Sequence, residues 1–242
     1  MSETLIGLLH PGEMGAAVAA CLTGRGYQVL WVPAGRGPAT QARAAAAGLT
    51  AVAGPDAAGQ AADLARRADI ILSICPPHAA LPVAREVDAA AFTGSSWTPT
   101  RSPPVRARQV AAAVEAAGAS YVDGGIIGSP PGPGGGSQQY FSGPAAGLVA
   151  ALFAGTPVDA RVIESRGLTA ASAVKMAYAG WTKGTAALIL AVRALARVTG
   201  RWRRAARGPS RMSMLAARMS PSTVKGSSLA VRPVSPWVVT SS

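Results

Sequence analysis

Apolar residues in the first half of the chain come in short unbroken runs separated by Ala-rich stretches with wider spacing. Leu5–Leu9, Gln28–Val32 and Thr50–Ala53 are too short for helices and read as strands. Between and after them, Gly12–Gly24, Thr40–Ala47 and Gly59–Arg67 carry helical spacing. The segment ADIILSICP, Ala68–Pro76, is a continuous apolar strand that ends in a Pro-Pro turn. Fully apolar strands alternating with helices predict an α/β fold, with a parallel, doubly wound sheet covered on both faces. Further on, Val105–Ala117 reads as a helix and Ala119–Val122 as a strand. Residues Ser129–Ser137, SPPGPGGGS, read as a loop without periodicity. A strand over QQYFSG and a helix over PAAGLVAALFAG follow, and then one long Ala-rich helix from Leu168 to about Val198.

After Val198 the pattern disappears. Residues 201–242 carry scattered Pro, Ser and Arg with no acid, and are expected to be disordered or loosely attached. Charge marks the same divide. Of 23 Lys+Arg, 13 lie in residues 165–242, where no Asp or Glu occurs; the remaining 10 face all 11 acids, a net of −1 over residues 1–164. The overall charge of +12 therefore belongs to the C-terminal third. The tail has no recognisable nucleic-acid-binding fold, so no nucleic-acid partner is expected.

Half of the 242 residues are apolar, enough for one sizeable core. The opening Met-Ser-Glu-Thr lacks the basic region of a secretory signal. The most apolar helical stretch, Gly184–Val192, is short and flanked by Lys183 and Arg193. A cytoplasmic protein without a membrane partner is the expectation. Cys21 and Cys75 lie inside apolar segments and read as reduced buried thiols, with no metal framework.

The first candidate chemistry lies where the first strand meets the first helix, at His10-Pro11-Gly12-Glu13-Met14-Gly15. A strand, a glycine turn and a helix form the context of a dinucleotide-binding fingerprint. Gly12 would let the backbone approach a pyrophosphate, Gly15 would let helix and strand pack closely, and the helix N-terminus would meet the phosphates. His10 occupies the place of the usual first glycine; its other reading is a strand end facing solvent. The tip of the second strand, VPAGRGPAT, has no acid for a ribose hydroxyl but offers Arg36, followed by Thr40 and Arg43. A guanidinium matches a 2′-phosphate in shape and charge, which favours NADP(H) over NAD(H). The alternative is that Arg36 is a solvated loop charge.

Four segments in order resemble the 3-hydroxyisobutyrate/6-phosphogluconate dehydrogenase superfamily. IGLLHPGEMGAAVA is similar to its N-terminal fingerprint, and ADIILSICPP to its fourth strand, adding Cys75 and Pro76 to the cofactor-binding candidates. YVDGGIIGSPPG resembles its substrate loop, giving Asp123, Gly124, Gly128 and Ser129 as substrate-binding candidates. SAVKMAYAGWTKGTAALILAVRALA resembles the helix of its catalytic lysine, which would be Lys175, with Tyr178 assisting. The resemblance covers about residues 4–90 and 105–198, and is closest to a little-characterised branch. Better-known members carry Asn four residues after the lysine, where this chain has Ala179.

The resemblance implies an NADP-binding Rossmann domain over residues 1–160, the start of an all-α domain over 161–200, and a basic tail over 201–242. It implies hydride transfer between a nicotinamide and a small 3-hydroxy acid, with a lysine as general acid/base, and a homodimer formed through the helical domain. The reading that competes with it at Lys175 is a lysine snorkelling from a packed helix. Where a fifth strand is due, SSWTPTRSPPV offers prolines; its codons read one base earlier would give a family-like strand, and the basic tail is open to the same out-of-frame reading. With most of the helical domain missing, a non-catalytic NADP-binding module is the alternative function.

Overall fold

A computed structural model describes residues 4–76, 78–89, 92–99, 104–132, 135–164 and 167–198. The chain divides into two compact units, Met1–Lys183 and Gly184–Ser242. The tail over 201–242, and the expectations attached to it, lie outside the described residues. Within the second unit the described residues form the C-terminal part of one helix.

The first unit is built on an eight-stranded sheet. Its elements are β1 (Ile6–Leu8), α1 (Glu13–Thr23), β2 (Val29–Trp31), α2 (Pro38–Ala46), β3 (Thr50–Ala51), α3 (Ala57–Arg67), β4 (Ile70–Leu72) and α4 (Ala80–Ala89). They continue with β5 (Ser95–Pro99), α5 (Pro104–Ala116), β6 (Ser120–Gly132), β7 (Gly135–Ser142), α6 (Ala146–Ala151), β8 (Val158–Val162) and α7 (Ala170–Val198). The strand order is β3-β2-β1-β4-β5-β6-β7-β8. Pairing is parallel from β3 through β6, β7 runs antiparallel to β6, and β8 runs parallel to β7. The first six strands follow the 3-2-1-4-5-6 order of a dinucleotide-binding fold, as the alternating pattern predicts.

Period-two alternation along each strand sends its side chains into two separate cores. Leu30, Ile71 and Tyr121 point to one face, where Leu64 of α3, Val83 of α4 and Val110 and Val114 of α5 cover them. Ile6, Leu8, Val29, Ile70, Leu72 and Val122 point to the other, against Val18 and Leu22 of α1 and Val149 of α6. Because both faces are buried, the strands must be apolar throughout.

Three regions differ from the sequence reading. SSWTP forms β5 despite its prolines, hydrogen-bonded in parallel to β4 and β6 with Ser95 opposite Ile70 and Trp97 opposite Val122. Pro99 occupies the last position of the strand and Pro104 the first of α5, both tolerant of a missing amide hydrogen. Residues Ser129–Ser137 belong mostly to a hairpin rather than a loop: β6 continues to Gly132 and β7 starts at Gly135, with a register shift between Gly128 and Gly132. Gly128 takes φ +113° in this ladder, a conformation suited to glycine. VDARV, left unassigned in the sequence reading, alternates Val158, Ala160 and Val162 with Asp159 and Arg161 and forms β8 by pairing to β7.

Candidate functional site

The turn after β1 is shaped by backbone contacts. The amide of Leu9 donates to the carbonyl of Leu72 (3.1 Å), carrying the strand one residue further. The amide of Gly12 then donates back to the carbonyl of His10 (2.8 Å), so the chain reverses tightly at buried Pro11. Gly12 caps α1 in an extended conformation, and no side chain caps that helix end. The two glycines have different roles. A Cβ on Gly15 would run into the carbonyl oxygen of His10, so Gly15 serves packing between helix and turn. A Cβ on Gly12 would meet no protein atom within 4 Å, so Gly12 keeps space clear in front of the helix end. Glu13 is exposed and Met14 is half-buried against the α1 side of the core.

The β2–α2 connection is held by its own hydrogen bonds. The amide of Ala34 donates to Gln60 Oε1 of α3 (2.9 Å), that of Arg36 to the carbonyl of Pro33 (3.1 Å), and Gln41 Nε2 to the carbonyl of Arg36 (3.0 Å). Arg43 reaches across, its Nε donating to the carbonyl of Pro11 (3.4 Å) and its Nη2 to Thr40 Oγ1 (3.1 Å). Arg43 therefore links the arginine loop to the fingerprint turn. Arg36 Nε and His10 Nδ1 are both buried and have no hydrogen-bond partner. Burial, and secondly the charge of Arg36, lower the His10 imidazole to a pKa of about 4, so it is neutral at physiological pH. Cys75 is half-buried near the end of β4, with its sulfur 3.7 Å from Ser73 Oγ, and Pro76 is exposed. Cys21, like Cys75, is half-buried.

These features fit a dinucleotide. Space in front of an uncapped helix end suits a phosphate, and the buried guanidinium nitrogen of Arg36 left without an acceptor calls for an anionic ligand.

The substrate-loop candidates separate in the fold. Asp123 is fully buried in β6. Its Oδ2 accepts the amide of Ser172 (2.7 Å) and its Oδ1 the Ser172 hydroxyl (2.5 Å). The Tyr121 hydroxyl donates to Oδ1 at 3.3 Å, with a longer contact from Ser142 Oγ to Oδ2 at 3.5 Å. Burial raises the Asp123 carboxyl above its usual range, although bonds from Ser172, Tyr121 and Ser142 pull the other way. Ser142 Oγ also accepts the amide of Ala171 (3.1 Å). Between them, Asp123 and Ser142 cap the first turn of α7 from two strands. Gly124 is buried beside Asp123, whereas Gly128 and Ser129 are exposed further along β6.

Directly above Asp123 on the sheet, Gly125 allows α7 to approach. A Cβ there would lie 2.6 Å from the carbonyl oxygen of Ala171 and 3.2 Å from Lys175 Cβ. Lys175 is consequently only 9% exposed. Its Nζ lies 5.8 Å from the ring centroid of half-buried Tyr178. Lys183 is exposed. Sequence reasoning missed Ser142, Ser172, Gly125 and Gln60, whose roles depend on contacts between distant segments. Among the described residues, no cluster of His, Cys, Asp and Glu is arranged to hold a metal. No helix among them is long and apolar enough to cross a membrane.

No protein-family model matches the chain, and no curated protein matches it. Solved structures do. A conserved protein of unknown function, described as structurally similar to 3-hydroxyacid dehydrogenases, superimposes with a TM-score of 0.68 at 24% identity, over 88% of this chain and 75% of its own. Mycobacterium tuberculosis 3-hydroxyisobutyrate dehydrogenase with L-serine gives 0.66 at 23% identity, over 83% and 67%. An imine reductase from Myxococcus stipitatus with NADP+ gives 0.64 at 22% identity, over 81% and 67%. The chain shares the Rossmann-type fold of these dehydrogenases and reductases.

Proposed function

We propose that the protein is an NADP-dependent oxidoreductase of the 3-hydroxyacid dehydrogenase type, with Lys175 as its general acid/base. The observation that carries this reading is the β1–α1 turn. There Gly12 holds space open before an uncapped helix end, and His10 and Arg36 each keep a buried nitrogen without a partner. Arg36 supplies the charge and fork geometry for a 2′-phosphate.

When bound, the nicotinamide gives or takes the hydride. Lys175 holds the proton that must leave or reach the substrate oxygen, or the nitrogen of an imine, as hydride moves. Its near-burial keeps water from competing for that proton, and Tyr178, one turn along α7, hydrogen-bonds to the same group. Gly124, Gly128 and Ser129 on β6 contribute backbone and hydroxyl contacts to the substrate. Asp123 supports the site from beneath through Ser172.

The test is NADPH consumption by the full chain with a panel of 3-keto acids and cyclic imines. Turnover of either class supports the reading. Saturable NADPH binding with no turnover across the panel replaces it with a non-catalytic NADP-binding module.

A further inference from the structure

His10 stands where dinucleotide fingerprints carry glycine, and its surroundings give the imidazole a task that glycine cannot perform. The backbone of His10 is fixed on both sides, by Gly12 donating to its carbonyl and by Gly15 packed against that same carbonyl. The residue is therefore anchored in the turn that leads into the uncapped start of α1. Its Nδ1 is buried without a partner, and so is Arg36 Nε from the neighbouring strand end. Folded proteins seldom leave two buried polar nitrogens unpaired, least of all where one belongs to a cation and the other to a ring that can become one. A single ligand satisfies both only if it is anionic and carries several acceptor oxygens, which describes a phosphate.

The charged and titratable groups on the elements packed around His10 are Glu13 and the Cys21 thiol of α1, Arg36 and Arg43 of the β2–α2 side, and the Cys75 thiol after β4. Arg36 is the charge among them that acts on the imidazole, and it acts with burial to keep the ring neutral. A phosphate held by both side chains changes that balance. It cancels the guanidinium and presents negative charge directly to the ring.

We infer that His10 is a phosphate ligand of the dinucleotide and that it takes up one proton from solvent as the dinucleotide binds. This rests on the cofactor reading above. Through His10, cofactor affinity then gains as pH falls between the free and bound midpoints of the imidazole.

His10 and His78 are the two histidines of the chain, and His78 is exposed. Imidazole NMR signals of the full-length protein are therefore assignable with the single variant H78Q, which leaves His10 untouched. The titration midpoint of His10 is followed in the free protein and at saturating NADP+ or NAD+. It is expected at about 4 without ligand, rising by about 2 pH units in the complex. A shift with NADP+ alone places the imidazole on the 2′-phosphate, and a shift with both places it on the pyrophosphate; either supports the inference. An unmoved His10 midpoint in a saturated complex overturns it. Failure to saturate with either nucleotide overturns the cofactor reading instead.

Discussion

The carboxylate of Asp123 on β6 accepts both the amide (2.7 Å) and the hydroxyl (2.5 Å) of Ser172 in the first turn of α7. One buried side chain thus satisfies a helix end that begins 47 residues further along the chain, as the numbering of Asp123 and Ala170 shows. Replacing Asp123 with Ala removes the acceptor of two buried Ser172 bonds, at a cost of about 3 kcal/mol in urea unfolding. Asn retains one acceptor and adds a donor for Ser172 Oγ, so D123N is expected to cost less. The pH dependence has a definite sign. A carboxyl raised in the folded state stabilises the fold fully below its unfolded value, and that contribution is lost as pH rises through the folded value. Wild type should therefore lose stability relative to D123N as pH rises above the ordinary carboxyl value and through the raised folded one. The opposite trend would show that the carboxylate is stabilised by its bonds.

In the proposed cofactor site Gly12 serves ligand binding, whereas Gly15 serves packing. In G12A the added methyl meets no protein atom, so the thermal midpoint should stay within a few degrees of wild type while NADP+ binding weakens at least about tenfold. In G15A the methyl meets the carbonyl of His10, so the protein should lose about 1–3 kcal/mol of stability. Circular dichroism melts paired with calorimetric titration read both effects. Equal loss of stability in the two variants contradicts the division.

Much of this was legible locally. Leu5–Leu9, Gln28–Val32 and ADIILSICP identify the sheet because strands buried on both faces have to be apolar. The packing role of Gly15 is legible because it is set by position within a strand-turn-helix unit. By contrast, SSWTP has no apolar pattern of its own; β4 and β6 on either side supply its hydrogen-bond partners. The prolines and glycines of SPPGPGGGS concealed a hairpin whose ladder opens at a register shift. Asp123 is conspicuous in sequence as a lone acid between apolar residues and glycines. Its partners Ser142 and Ser172 lie 19 and 49 residues away, so its role became visible only once α7 was placed on the sheet.

In the proposed function, turnover depends on Lys175. K175M keeps the aliphatic stem that packs near Gly125 and removes the amine. NADPH consumption should fall by about 10²–10⁴-fold while NADPH affinity, read by fluorescence, is unchanged. Loss of both together would show that the helix has moved and not that a proton carrier was removed.

The most direct measurement is a fluorescence titration of the full-length protein with NADPH and with NADH. Arg36 is the sole basic group offered at the tip of β2 before α2 begins, and nothing acidic stands there to hold a ribose hydroxyl. NADPH is expected to bind at least about tenfold more tightly than NADH, and R36A to abolish that difference by weakening NADPH alone. Equal or tighter binding of NADH, or a preference that survives in R36A, contradicts the assignment.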